Sequence, residues 1–285
     1  MKLPSVEWSR GVALVASQLE AAGISHFLLP DLPAVELLPR EEFHQYDSPS
    51  VQKIKTIAVG NHADPESFVK EVNLAQHQQK VNHLLIVGGN CRNDAFSTPH
   101  AIELAKNTVS EFHQFNNQVD ISQSTEMQVW CVSNPNNPNV AKDRLQAKLL
   151  AGADRIITQP LLTSTAWDRI QSGDYPVSRT SIGMALPLTE QSLWFWRDLM
   201  MEIEPGVIDT DELFQEHIRY FQKQQQSKSE DIMAERRQRS LEWAQTQQEM
   251  IATKLDFDGV HYMPINNVAT LLALLQPGEG TNSYY

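Results

Sequence analysis

The stretch that decides the fold is Lys148-Leu-Leu-Ala-Gly-Ala-Asp-Arg-Ile-Ile-Thr-Gln159. It starts in the last part of a predicted helix that Asn139 caps and that ends at Gly152, where glycine lets the chain turn. The apolar run over 155–159 then predicts a short strand that is buried on both faces. A helix that leads through a glycine turn into a buried strand is typical of parallel α/β folds.

The same alternation recurs along the chain, with short apolar runs between longer helical patterns. Two helices have clear start signals, one at Asp64-Pro65-Glu66 and one at Thr210-Asp211-Glu212. The apolar runs predict eight strands: Leu3–Trp8, His26–Leu29, Thr56–Gly60, His83–Gly88, Gln128–Ser133, Arg155–Gln159, Ser181–Pro187 and Gly259–Pro264. Eight strands alternating with helices predict an α/β fold, a single (β/α)8 TIM barrel over residues 1–285. A doubly wound sheet is the alternative, because one sequence does not give the strand order.

The connection before the last predicted strand is much longer than the others. Its central part, about 205–255, is predicted as a helical, glutamine-rich insertion. Four apolar residues at roughly helical spacing predict a long solvated helix with a narrow buried stripe: Met233, Leu241, Ala244 and Ile251. A helix that binds a partner, or a lid over a site, is the alternative.

Composition and charge exclude several classes of protein. With 23 Lys and Arg against 35 Asp and Glu, the formal net charge is −12, which argues against nucleic acid and anionic membranes as partners. The two cysteines, Cys91 and Cys131, are too few for a disulfide scaffold and indicate a reducing compartment. Neither a signal peptide nor a membrane span is predicted, so we expect a cytoplasmic protein; the sequence leaves a homo-oligomer open. The nine histidines lack metal-ligand spacing, and no metal site is predicted.

Candidate binding residues follow the predicted strands, since barrel enzymes carry their sites at the carboxyl ends of the strands. Gly88 and Gly89 would let backbone N–H groups approach a phosphate or a flat ring, although a tight turn explains them equally well. The loop Ser133–Asn139 is rich in amides, which suit a pterin, flavin or purine edge, and a turn built from Asn-Pro pairs is the alternative. Gln159 ends a buried strand and needs a partner for its amide, from a ligand or from the backbone.

The segment Lys148–Gln159 resembles the signature of the methylenetetrahydrofolate reductase family, which has a lysine, an Ala-Gly-Ala turn and a strand ending in Thr-Gln. Further segments resemble other strands of that family in the same order: Ser5–Trp8, His83–Asn90, Ile182–Pro187 and Gly259–Asn266. The family is a (β/α)8 barrel, usually with FAD. It reduces 5,10-methylenetetrahydrofolate to 5-methyltetrahydrofolate with reduced nicotinamide.

The resemblance implies a role for individual residues. Glu7 would be the general acid that protonates N10, and an apolar setting would keep its carboxyl group neutral. The implied contacts to the folate substrate are Gln159, Asn90 and Asn267. The implied contacts to FAD are Gly88, Gly89, Asn90, His100 and Lys148. The hydride would come from NADH or NADPH.

The sequence also departs from the family pattern. Asn90 replaces an aspartate, Gly88 replaces an arginine and His100 replaces a tyrosine, and most departures fall on the flavin side. The usual His-Pro-Glu is Asn137-Pro138-Asn139, and Asn267 stands where an arginine meets the folate tail. A diverged barrel that binds a folate or another pterin without redox chemistry is therefore the alternative function. A third hypothesis is an interaction protein that works through the glutamine-rich segment.

Overall fold

A computed structural model gives the architecture. It describes residues 14–29, 48–77, 81–88, 96–116, 127–137, 141–200, 206–222, 232–264 and 267–276. The strands are β1 (His26–Leu29), β2 (Gln52–Ala58), β3 (His83–Val87), β4 (Gln128–Ser133), β5 (Arg155–Thr158), β6 (Thr180–Ala185) and β7 (Gly259–Met263). The helices are α1 (Pro65–His77), α2 (Thr98–Asn116), α3 (Ala141–Leu150), α4 (Ser164–Gln171), α5 (Glu190–Met200), α6 (Gly206–Asp209), α7 (Glu212–Gln222), α8 (Ile232–Lys254) and α9 (Val268–Leu275). A further helix precedes β1, and its described part covers residues 14–21.

The strand order is the order of the chain, β1-β2-β3-β4-β5-β6-β7. The pairs β1–β2, β2–β3, β3–β4, β5–β6 and β6–β7 are all parallel. This order confirms the predicted parallel α/β class, and among the described strands it excludes the doubly wound alternative, whose order reverses at a switch point. The order is that of a TIM barrel. The predicted first strand, Leu3–Trp8, lies outside the described residues, so the closed eight-stranded barrel stays a prediction.

The chain divides into two compact units. The first covers residues up to 132 together with 145–155, and the second covers 133–144 and the chain from 156 onward. In the first unit, β1 to β4 form the sheet, and α1 buries Phe68 and Val72. The Asp64 side chain accepts a hydrogen bond from the Ser67 backbone N–H at 2.7 Å, which confirms the helix start predicted there.

The turn between α3 and β5 also belongs to the first unit. Gly152 has a φ of +98°, a left-handed conformation that a side chain disfavours, as the sequence predicts. Next to it, Asp154 accepts a hydrogen bond from the Val129 N–H at 2.7 Å and forms an ion pair with Lys106 at 2.9 Å. The turn is therefore fixed both to strand β4 and to helix α2.

In the second unit, the insertion is an integral part of the core. Helix α7 buries Phe214, His217, Ile218 and Phe221. Helix α8 buries Ser240, Trp243, Ala244, Gln247 and Ile251. The predicted long helix is confirmed, but two members of its predicted stripe are wrong: Met233 is exposed and Leu241 is only half-buried. The buried face includes Trp243, which packs edge-on against His217 of α7 with ring centroids 5.3 Å apart, and Ser240, which accepts a hydrogen bond from Asn267.

His217 makes the stability of the fold depend on pH. Its Nδ1 accepts a hydrogen bond from Trp243 Nε1 at 3.2 Å, and burial lowers the pKa of His217 to about 4. Because the unfolded chain binds a proton on this ring below about pH 6.5, the free energy of unfolding should fall as the pH drops from about 6.5 to about 4. The full loss at His217 is about 3 kcal/mol. Burial lowers the pKa of His83 in the first unit to about 4 as well, so this histidine acts in the same direction.

We expect His217→Gln to flatten this dependence, because glutamine does not titrate yet can still accept the indole hydrogen bond. Urea unfolding at several pH values between 7 and 4 measures how the free energy of unfolding changes with pH. A variant with the slope of the wild type would show that His217 is not one of the groups responsible.

Among the described residues, no helix is both long and apolar enough to cross a lipid bilayer.

Candidate functional site

The best candidate site in the second unit lies at the carboxyl ends of its parallel strands, where α/β proteins generally bind ligands. Three loops start there: 134–137 after β4, 159–163 after β5 and 186–189 after β6. The polar side chains in these loops fall into two groups. Some form hydrogen bonds within the protein, and others form none to the described residues.

Gln159 belongs to the second group. Its backbone N–H donates to the Ser133 carbonyl at 2.8 Å, which holds the residue in line with the end of β4. Its side chain is half-buried and makes no hydrogen bond to any other described residue. A half-buried amide in this state can donate to a ligand and accept from it.

Asn136 belongs to the first group. It is 1% exposed, and its Oδ1 accepts from the Leu162 N–H at 3.1 Å and from the Thr163 hydroxyl at 3.0 Å. Its Nδ2 donates to the Pro160 carbonyl at 2.8 Å. All these contacts shape the loop after β5, so the asparagine-rich segment acts here as a structural element. Asn137 is buried too, and its carbonyl accepts a hydrogen bond from Arg169.

The loop-shaping role of Asn136 and Thr163 was not predicted from the sequence. For Thr163 a signal was available, because Thr163-Ser164 directly precedes a helical pattern. Its hydroxyl caps α4 by accepting from the Ala166 N–H at 3.1 Å. For Asn136 no local signal points to the loop after β5, since its partners there, Pro160, Leu162 and Thr163, lie 24 to 27 residues away.

Strands β5 and β6 approach each other closely at Gly183. The Gly183 N–H donates to the Thr158 hydroxyl at 2.8 Å. A Cβ atom at Gly183 would lie 2.0 Å from the Thr158 carbonyl oxygen, far inside van der Waals contact. Glycine is thus required at this position, and it brings the end of β6 against the residue that precedes Gln159.

Asn267, predicted as a contact to the folate tail, is 3% exposed. Its Nδ2 donates to the Leu186 carbonyl and to the Ser240 hydroxyl, both at 2.9 Å, and its Oδ1 accepts from Thr270 at 2.6 Å. The amide is therefore occupied by contacts within the chain. Its predicted ligand contact stays a prediction.

Three of the residues predicted to contact FAD lie in the described part of the chain: Gly88, His100 and Lys148. Lys148 is half-buried and its Nζ donates to the Val132 carbonyl at 2.7 Å. Among the described residues, a Cβ at Gly88 would only reach ordinary contact, with Thr98 Oγ1 at 3.5 Å. His100 is exposed and packs edge-on against Phe96. These contacts give no support to a flavin site, and FAD binding stays a prediction.

Three predicted site residues lie outside the described residues: Glu7, Gly89 and Asn90. Their predicted roles stay predictions. Within the described part of the chain, no group of three or more His, Cys, Asp or Glu side chains could hold a metal ion.

Neither a protein-family model nor a curated protein matches the sequence. Among solved structures, the BexX/CysO complex of Amycolatopsis orientalis is similar at a TM-score of 0.36 and 11% identity, over 74% of this chain and 86% of that chain. A cube-shaped, highly porous protein cage designed by fusing symmetric oligomeric domains is similar at a TM-score of 0.36 and 16% identity, over 89% of this chain and 84% of that chain. Likeness at this level supports no conclusion about function.

Proposed function

We propose that this protein binds a folate or a related reduced pterin at the carboxyl ends of its strands, with Gln159 as the residue that recognises the pterin. The observation that carries this proposal is the half-buried amide of Gln159, which has no partner among the described residues and lies next to loop amides that are already engaged. A pterin edge presents neighbouring donors and acceptors, and a carboxamide complements such an edge with two hydrogen bonds.

The chemistry we propose is that of the family which the sequence resembles, namely reduction of 5,10-methylenetetrahydrofolate to 5-methyltetrahydrofolate. The methylene carbon gains a hydride that originates from reduced nicotinamide. Its bond to N10 breaks, and N10 takes up a proton. In this proposal Glu7 supplies the proton and Gln159 orients the ring.

A second candidate, a folate or pterin binder without redox chemistry, is favoured by one observation. Lys148 is the only lysine or arginine among the residues predicted to contact FAD. Its ammonium group donates a hydrogen bond to the Val132 carbonyl, which belongs to the same unit. This contact argues against the implied FAD role of Lys148, whereas the amide of Gln159, the implied folate contact, makes no hydrogen bond to another described residue.

A thermal-shift experiment tests the binding of folate. We expect 5-formyltetrahydrofolate, a stable reduced folate, to raise the melting temperature in a concentration-dependent way. Gln159→Ala should weaken this binding roughly ten- to a hundredfold, since losing hydrogen bonds to a buried polar group costs about 1–3 kcal/mol. Gln171→Ala, which removes an exposed amide at the end of α4, is the matched control and should bind like the wild type. Equal binding by the Gln159 and Gln171 variants would refute the proposed role of Gln159.

Two measurements separate the two candidate functions. The visible absorption spectrum of the purified protein shows whether flavin is bound, because bound flavin is yellow. Oxidation of NADH or NADPH with 5,10-methylenetetrahydrofolate, with and without added FAD, shows whether the protein is a reductase. A colourless protein that binds the folate but oxidises neither nucleotide would be the non-redox binder.

A further inference from the structure

The first unit gathers polar and aromatic side chains at the amino ends of its strands. The first residues of β1 to β5 are His26, Gln52, His83, Gln128 and Arg155, and all five belong to this unit. The His83 ring stacks on the Trp130 indole of β4 with centroids 5.1 Å apart, and the His26 ring stacks on His83 at 5.9 Å. The Arg155 guanidinium lies over the Trp130 ring, 5.5 Å from its centroid. These four side chains, His26, His83, Trp130 and Arg155, form what we call the amino-end stack.

The surroundings of His83 suit a neutral imidazole ring. His83 is 5% exposed, its Nε2–H donates to the side-chain oxygen of Gln52, and its Nδ1 accepts from the Gln128 backbone N–H at 3.4 Å. A second proton would lie on Nδ1, where it would turn the contact with Gln128 into one between two donors. The hydrogen bonds of the stack therefore hold only while His83 is uncharged.

The charges around His83 also oppose a second proton. The titratable groups that face it are His26 from β1, Arg155 from β5 and Asp154 from the turn before β5. Burial and the charges of His26 and Arg155 lower the pKa of His83 to about 4, and Asp154, which pairs with Lys106, opposes this shift. The described side chains that contact His83 from β2 and β4 are neutral.

Strand β1 is the part of the stack with the weakest hold on the sheet. It has four residues, and among the described strands it pairs with β2 alone. His26 is exposed, and Phe27 and Leu28 are only half-buried. Segments with few buried contacts open locally at a lower free energy than the whole fold. When β1 opens, His26 leaves the face of His83, and water can reach the imidazole ring.

We propose that the amino-end stack is a proton-sensitive clasp on strand β1, which holds the strand while His83 is neutral and releases it when His83 binds a proton. The pKa of His83 is about 4 in the closed state and moves toward 6.5 once water reaches the ring, so opening becomes easier as the pH falls between these values. The open state of β1 should be about tenfold more populated at pH 5 than at pH 7. This proposal does not depend on folate binding.

Hydrogen exchange of the β1 backbone amides in the full chain tests this proposal. After correction for the intrinsic pH dependence of exchange, we expect the wild type to lose protection in β1 about tenfold between pH 7 and pH 5. His83→Gln, whose side chain does not titrate, should show no such loss. Equal protection of β1 at the two pH values in the wild type would overturn the proposal.

His217→Gln separates the release of β1 from unfolding of the whole chain. His217 also carries a lowered pKa, but it lies in the second unit, so this variant should keep the full pH dependence of exchange in β1. A smaller dependence than in the wild type would mean that β1 exchanges through global unfolding, and the clasp would be refuted. The wild type and this variant decide the question even if His83→Gln fails to fold, because His83 is the one buried histidine among the described side chains of the first unit.

Discussion

Replacing Gly183 by alanine is expected to lower the free energy of unfolding by about 4 kcal/mol or more, and in a marginally stable chain to abolish folding. The added Cβ would lie 2.0 Å from the Thr158 carbonyl oxygen. Because that oxygen belongs to the backbone of a buried strand, it cannot rotate away as the end of a side chain would. Strands β5 and β6 would have to separate, with loss of the hydrogen bond between Gly183 and the Thr158 hydroxyl.

Gly259→Ala is the matched control. This glycine also lies in a strand of the second unit, but no described atom lies within 4 Å of the position that an added Cβ would take. We expect little change or a slight gain in stability, because alanine reduces the freedom of the unfolded chain. Chemical denaturation of the two variants beside the wild type measures the difference. Similar stability of the two variants would contradict the close approach at Gly183.

Asn136→Ala is expected to cost about 3–5 kcal/mol, the second-largest effect. The substitution removes the hydrogen-bond partner of the Leu162 N–H and of the Pro160 carbonyl, and it removes the acceptor of the Thr163 hydroxyl proton. Since these groups belong to the loop that follows Gln159, folate binding should weaken in any fraction of the variant that folds. Urea unfolding measures the first effect, and the thermal shift with 5-formyltetrahydrofolate measures the second.

Asn107→Ala serves as its control, since Asn107 carries an exposed amide in the middle of α2. Its stability should stay within about 0.5 kcal/mol of the wild type, as for most surface substitutions. A loss at Asn136 no larger than that at Asn107 would show that the hydrogen bonds of Asn136 contribute little net stability.

Local patterns in the sequence predict much of the fold. Strands β1 and β4 begin and end at the predicted residues, because their apolar runs are bounded by polar or turn-forming neighbours. The α1 start at Pro65 and the left-handed turn at Gly152 follow from one or two residues each. Such features need only neighbours in the chain, and a single sequence contains these neighbours.

Long-range contacts account for what the sequence did not predict. The buried face of α8 includes Gln247 and Ser240, polar residues that an apolar periodicity passes over, and it leaves Met233 exposed. The partners of Asn136 in the loop after β5, and the neighbour of Gly183, come from distant parts of the chain. Of the candidate site, the position of Gln159 at the end of a buried strand was predictable. That its amide is available while that of Asn136 is engaged was not.

Asn267 has a consequence for the order of folding. Its amide joins the start of α9 to Leu186 and Ser240, which lie 81 and 27 residues earlier in the chain. Closing loops of this length lowers the entropy of the chain, and this loss is offset only once the contacts have formed. Such contacts therefore tend to form late in folding. Helix α9 can therefore pack against the second unit only after the whole insertion has been synthesised and folded. On the ribosome, the second unit would stay incomplete until α9 has emerged.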